Sequence, residues 1–197
     1  ATNMKKVGLY FGTFNPIHIG HLIIANHMVE CSDLDEIWMV VTPHNPFKKK
    51  KSLLDNHHRF EMVYKATEDY EKIKPSDIEF KLPQPNYTVY TLAHISEAYP
   101  NNEFCLIMGE DNLRSLHKWK NYQTIIEHHH IYVYPRVSDG EDKHEFKNHP
   151  KIHTIDAPII EISSTMIRNG IRNQKNIQPL LSKEVWKYVD EMNFYKR

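Results

Sequence analysis

Two histidines three residues apart, His18 and His21, close the run Gly12-Thr13-Phe14-Asn15-Pro16-Ile17-His18-Ile19-Gly20-His21. At that spacing they share one face of a helix entrance. Gly20 between them lets another backbone or a ligand approach closely. Before the run, Lys6 to Phe11 reads as a buried first strand. After it, Leu22 to Glu30 reads as a helix with Leu22, Ala25 and Val29 on one face. Strand, glycine-containing turn and helix put backbone N–H groups and a positive helix end at the carboxyl edge of a sheet, where anions and nucleotides bind. The plain alternative is a pair of histidines in a helix cap, satisfied by local hydrogen bonds.

A second constellation stands near the C-terminus, Ile159-Ile160-Glu161-Ile162-Ser163-Ser164-Thr165-Met166-Ile167-Arg168. An apolar, strand-like stretch gives way to two serines, either of which can cap a following helix. Arg168 then falls in the first or second turn, where the helix dipole disfavours a cation. A phosphate held between the N-terminal N–H groups and the guanidinium would resolve that conflict; the alternative is an arginine pointing at solvent.

Six strand-like runs must position these groups: Lys6–Phe11, Glu36–Val41, Asp77–Leu82, Phe104–Met108, Ile131–Tyr134 and Ile152–Ile155. Helical patterns lie between most of them, at Arg59 to Tyr70 and Tyr87 to Tyr99, and a last one spans Ser182 to Phe194. The expected fold is α/β: a Rossmann-like, doubly wound, mostly parallel sheet with helices on both faces and a C-terminal helical segment. Residues 1–197 read as one domain, of which about 160–197 form the helical part carrying the serine motif. Thr42 to His58, with the lysine run 48–51, and Arg136 to Lys151, with Asp139-Gly140, read as loops.

The formal net charge is zero, so no global field favours nucleic acid, and a nucleic-acid module built on the short lysine run is the weakest option. No apolar stretch approaches the ~18 residues of a membrane helix, and the first strand does not resemble a signal peptide. Two cysteines without CxxC spacing fit the cytoplasm. Of the 14 histidines, the runs His128-His129-His130 and His57-His58 read as ordinary surface residues, so no metal site is expected.

The pattern GTFxPxHxGH resembles the signature of the HxGH nucleotidyltransferase superfamily, and ISSTMIR resembles its second signature, about 140 residues on. Pro85-Asn86-Tyr87-Thr88 with Thr91-Leu92, and Gly109-Glu110-Asp111-Asn112-Leu113 with Trp119-Lys120-Asn121-Tyr122, resemble segments of the bacterial nicotinate-nucleotide adenylyltransferases. The resemblance covers Val7 to the terminal helix. It implies adenylyl transfer from ATP to nicotinate mononucleotide, with pyrophosphate released. His18, His21 and Arg168 would then be catalytic. ATP would contact Gly12, Thr13, Phe14, Gly109, Asp111, Ile162, Ser163 and Ser164 as well. The mononucleotide would contact Lys48, Tyr87, Thr88, Trp119 and Tyr122, the pyridine ring lying near the tryptophan. Mg²⁺ would arrive with ATP, since no cage of carboxylates is visible. Many members carry a histidine where this chain has Phe47, which leaves the role of the lysine loop open. The partners implied are ATP and nicotinate mononucleotide, with no nucleic acid and no membrane; self-association into a homo-oligomer stays open. Pantetheine-phosphate adenylyltransferase, polyol-phosphate cytidylyltransferase and a catalytically silent nucleotide sensor are the alternatives.

Overall fold

Strand residues alternate between two apolar layers, and the alternation places every helix. In the computed structural model, which describes residues 4–44, 52–137, 145–146 and 148–197, the strands are β1 (Lys5–Gly12), β2 (Glu36–Val41), β3 (Ile73–Ser76), β4 (Asn102–Gly109), β5 (Ile131–Tyr134) and β6 (Ile152–Thr154). The helices are α1 (Ile19–Cys31), α2 (Asn56–Thr67), α3 (Thr88–Ala98), α4 (Glu110–Arg114), α5 (Tyr122–His128), α6 (Ser164–Arg172) and α7 (Lys183–Glu191). Val7 and Leu9, Phe104, Leu106 and Met108, and Ile131 and Val133 share one buried layer with Leu92 and Ile95 of α3 and Ile125 of α5. Tyr10, Cys105, Ile107, Tyr132 and Tyr134 point to the other layer and pack with Met28 of α1, Met62 of α2, Ile167 of α6 and Val185 and Val189 of α7. The period of two therefore buries both faces, as a parallel sheet requires.

The sheet order is β3-β2-β1-β4-β5-β6, and all five pairings are parallel. This is the doubly wound arrangement expected from the sequence, with the winding reversing between β1 and β4. Among the described residues no helix is long and apolar enough to cross a membrane.

Three local expectations need correction. Asp77–Leu82 is not a strand; Ile78–Lys81 forms a 3-10 turn. The strand there is β3, four residues earlier, which contains Pro75. Among the described residues its only strand partner is β2, so the missing proline N–H is tolerated at the sheet edge. The apolar stretch before the serine motif is irregular from residue 155 to 163. The stretch read as a loop up to His58 already turns helical at Asn56. Lys48, Phe47, the rest of the lysine run and Asp139-Gly140 lie outside the described residues.

Arg59 holds the carboxyl edge of the sheet together. The side chain is fully buried. Its Nε donates to the Leu54 carbonyl at 2.8 Å, Nη1 donates to the carbonyls of Thr13 at 2.8 Å and Thr42 at 2.6 Å, and Nη2 donates to Asn56 Oδ1 at 2.6 Å. Burial pulls its pKa down to about 10, so it stays charged at neutral pH. The segments just after β1 and β2 and the start of α2 are thus tied to one cation. Replacing Arg59 by Met should leave three partly buried carbonyls without their donor and lower stability by about 2–3 kcal/mol, since a fully buried one costs about 1–3 kcal/mol. Urea unfolding measures this; a loss under about 1 kcal/mol would mean that the carbonyls find other partners.

Candidate active site

A cleft of about 240 Å³ opens at the carboxyl ends of β1 and β5, beside the point where the winding reverses, lined among others by Gly12, His18, His21, Tyr134, Arg136 and Ser163. The turn that delivers the histidines is tightly made. Phe14 takes a left-handed backbone conformation, φ 50°, costly for a residue with a Cβ. Its ring is buried, and the Thr13 carbonyl before it is held by Arg59.

His18 is the N-cap of α1. Its Nδ1 accepts from the Gly20 N–H at 3.0 Å, and Nδ1 of His21 accepts from the His18 N–H at 3.1 Å. The plain alternative, a histidine cap, is therefore correct as geometry, and it has a chemical consequence. A ring nitrogen that accepts a backbone N–H carries a lone pair, so the proton of each neutral imidazole sits on Nε2. The two rings stack with centroids 3.7 Å apart. Burial, with the Arg136 charge nearby, lowers the pKa of His18 to about 4. Burial, His18 and Arg136 hold His21 well below the ordinary imidazole value. Both side chains are neutral Nε2–H donors at pH 7. Gly20 is required by this packing. A Cβ there would come within 2.9 Å of the His18 ring and 2.7 Å of Ile160.

The second motif joins the first directly. Ser163 is the N-cap of α6, its Oγ accepting from Met166 N–H at 3.1 Å. Ser164 Oγ donates to the Pro16 carbonyl at 2.9 Å, and Arg168 Nη1 donates to the Asn15 carbonyl at 2.8 Å. Arg168 Nη2 also donates to Thr165 Oγ1 at 3.2 Å. The protein's own oxygens thus answer part of the helix-dipole conflict that the sequence suggested only an anion would relieve. Buried Asn15 is the hub. Its Nδ2 donates to the Ser52 carbonyl at 2.9 Å, and its Oδ1 accepts from Leu54 N–H at 3.3 Å and from the Tyr195 hydroxyl at 2.6 Å.

Arg136 was not singled out by any motif. It follows β5 by two residues and lies beside Asp111, with Nε 3.9 Å from Oδ1. The available signal was its position, a cation just past the carboxyl end of a predicted strand. Gly109 ends β4 between these groups; a Cβ there would meet Asp111 at 2.6 Å and Arg136 at 2.9 Å. Tyr10 and Tyr134 hydroxyls lie 3.4 Å apart in the cleft wall. Ile162 and Ser164 also line the cleft.

Of the residues expected to meet the mononucleotide, Tyr87, Thr88, Trp119 and Tyr122 do not line this cleft. Tyr87 is the N-cap of α3 and makes no side-chain cap hydrogen bond; Thr88 is the first helical residue. Lys120 lies over the rings of Tyr87 at 4.5 Å and Tyr90 at 5.3 Å, which brings the Trp119 loop beside the start of α3. Trp119 and Tyr122 are half-buried against the apolar layer under α3 and α5, and Tyr122 packs on Phe146 with ring centroids 5.9 Å apart. Away from the cleft, Asp55, His57 and His58 offer ligand atoms within 4.8 Å of one another, a group that could coordinate a divalent ion.

Residues 9–170 match the cytidylyltransferase-like family model. The chain is 71% identical over 192 residues to a protein of Flavobacterium johnsoniae named probable nicotinate-nucleotide adenylyltransferase, covering 98% of this chain and 100% of that one. It is 72% identical to a protein of the same name from Christiangramia forsetii, covering 98% and 99%. Among solved structures, the nicotinic acid mononucleotide adenylyltransferase of Plasmodium falciparum complexed with NaAD shares the fold, with a TM-score of 0.79 at 22% identity and 97% of each chain covered.

The neutral histidines make stability depend on pH. An unfolded His18 takes up a proton near its ordinary pKa of 6.5, whereas the folded one resists until about 4. The contribution is therefore complete above the unfolded value and is lost as pH falls through the window, by about 3 kcal/mol in all. His18→Asn keeps an oxygen at the cap and removes the titrating ring. Urea midpoints followed through that window should fall less steeply in the variant. An identical slope would show that His18 is not the group responsible.

Proposed function

Since the chain belongs to the nicotinate-nucleotide adenylyltransferase family, we propose that the cleft binds ATP and that the chain joins its adenylyl group to nicotinate mononucleotide, forming nicotinate adenine dinucleotide and pyrophosphate. The observation that carries the assignment of the site is the pair of neutral imidazoles whose Nδ1 atoms serve the helix cap, leaving two Nε2–H donors at the positive end of α1.

An oxygen of the mononucleotide phosphate attacks the α-phosphorus, the new P–O bond forms, and the bond from that phosphorus to the bridging oxygen breaks with its electrons leaving on pyrophosphate. The attacking oxygen is already ionised at neutral pH, so no general base is required, and positioning and charge stabilisation carry the rate. His18 and His21 donate to the phosphate oxygens. Arg168, Ser163 and Ser164 at the start of α6 hold the outer phosphates, and Arg136 adds a second cation across the cleft. Gly12, Thr13, Phe14 and Ile162 shape the cradle, and Asp111 beside Gly109 accepts a ribose hydroxyl. Mg²⁺ enters on the triphosphate as part of the substrate. Free Cys31 and Cys105 are consistent with a reducing cytoplasm.

The uncapped start of α3, with Tyr87 and Thr88, offers N–H groups to the pyridine carboxylate beside Trp119; Tyr122 packs behind that loop, and Lys48 lies outside the described residues. Charge-assisted hydrogen bonds are roughly twice as strong as neutral ones, and an amide turned toward donors would leave groups unpaired.

His21→Ala should lower kcat by about 10²–10³-fold, the usual cost of losing one preorganised donor, while the protein stays folded. Near wild-type turnover would remove His21 from the reaction. With Mg·ATP fixed, kcat/KM should be at least about tenfold higher for nicotinate than for nicotinamide mononucleotide, equivalent to about 1.4 kcal/mol, and Thr88→Ala should narrow the gap. Equal efficiencies would mean the acceptor pocket lies elsewhere. Turnover of pantetheine phosphate instead of either would overturn the whole assignment.

A further inference from the structure

Asp55, His57 and His58 stand at the start of α2, outside the cleft lining, and no step of the reaction uses them. Three observations point to a ligand there. Asp55 is the N-cap of α2, where a carboxylate ordinarily accepts an N–H of the first turn, yet it makes no such bond. The neighbouring amide is occupied otherwise, Asn56 Oδ1 accepting from His44 N–H and from Arg59. His57 and His58, adjacent on a helix and so expected to diverge, have ring centroids only 4.0 Å apart. Finally, His58 Nδ1 lies 2.8 Å from the Tyr188 hydroxyl of α7. When that nitrogen donates its proton to the phenol oxygen, Nε2 carries the lone pair. One nitrogen on an oxygen partner and the other on the ion is the usual arrangement of a metal-bound histidine.

The ligand set also selects the ion. Two imidazoles and one carboxylate, with water filling a fourth position, suit zinc and ions of similar softness. Magnesium takes oxygen ligands in an octahedron and is poorly served here. The positive end of α2 disfavours a cation, and the Asp55 carboxylate offsets it. Asp55 and His57 are exposed and reachable from solvent.

We propose that Asp55, His57 and His58 bind one zinc-class divalent ion, with Tyr188 orienting His58, so that the ion fastens the start of α2 to α7. The site is separate from the magnesium that accompanies ATP. Its place in the fold gives it a structural role, because the next residue is Arg59.

The full chain is titrated with zinc chloride by calorimetry, and its melting temperature is followed with and without zinc. One equivalent should bind with micromolar affinity and raise the melting temperature, as any ligand of the folded state does. Asp55→Asn and His57→Gln, both surface changes, should each abolish the shift and weaken binding at least about tenfold, and Tyr188→Phe should weaken it about tenfold, the lower end of the cost of losing a metal ligand's oxygen partner. Excess magnesium should not compete. His130→Gln with His153→Gln, which removes the other close histidine pair (2.8 Å), should bind zinc unchanged. The proposal is overturned if no saturable binding occurs at micromolar zinc, if binding survives Asp55→Asn and His57→Gln, or if it is lost in the His130/His153 variant. Unchanged affinity in Tyr188→Phe overturns the orienting role.

Discussion

A single buried guanidinium whose hydrogen bonds run to neutral oxygens organises the functional end of this molecule. A cation taken out of water is costly unless its hydrogen-bonding capacity is met. Arg59 meets it with oxygens from residues 13, 42, 54 and 56. Those oxygens can converge only if the turn after β1, the exit from β2 and the entry to α2 lie where they do. The same demand keeps Phe14 in its left-handed conformation, and with it the direction in which the chain enters α1.

The histidine motif and the serine motif behave as one unit because they share backbone. Ser164 and Arg168 reach the carbonyls of Pro16 and Asn15, inside the first motif. A displacement of α6 must therefore displace the histidine turn as well. The histidines are similarly economical. Capping a helix with Nδ1 selects the tautomer that presents Nε2–H, so the group that starts α1 also sets its own protonation state. Stacked at 3.7 Å, two imidazolium ions would repel each other, and the Arg136 charge acts in the same direction.

Strands with alternating or continuous apolar residues were legible, as were both motifs, because each rests on a local pattern: Lys6–Phe11 and Phe104–Met108 fall inside their observed strands, and Glu36–Val41 and Ile131–Tyr134 agree with theirs. The segment Ile73–Ser76 was not, since a proline and a lysine hide a short edge strand whose existence depends on its neighbour β2. Arg59 and Asn15 escaped notice for a related reason. Their roles come from carbonyls and side chains scattered over the chain, and a polar residue inside a helical or loop pattern looks like any other. At Arg168 part of the helix-dipole conflict is relieved by the nearby Thr165 hydroxyl and by the Asn15 carbonyl, which only tertiary structure brings near.

The bond from the Tyr195 hydroxyl to Asn15 spans 180 positions of sequence. A ribosome delivers the chain in one direction, so the histidine turn is made first and its buried hub receives this partner only after the intervening positions have been added. Until then the Asn15 side chain must share its oxygen with Leu54 alone or with water. Closing so long a separation is entropically expensive and tends to come late in folding. The histidine turn, though encoded near residue 15, therefore acquires its final rigidity only when Tyr195 has docked. An unfinished or frayed chain carries the motif without its finished shape.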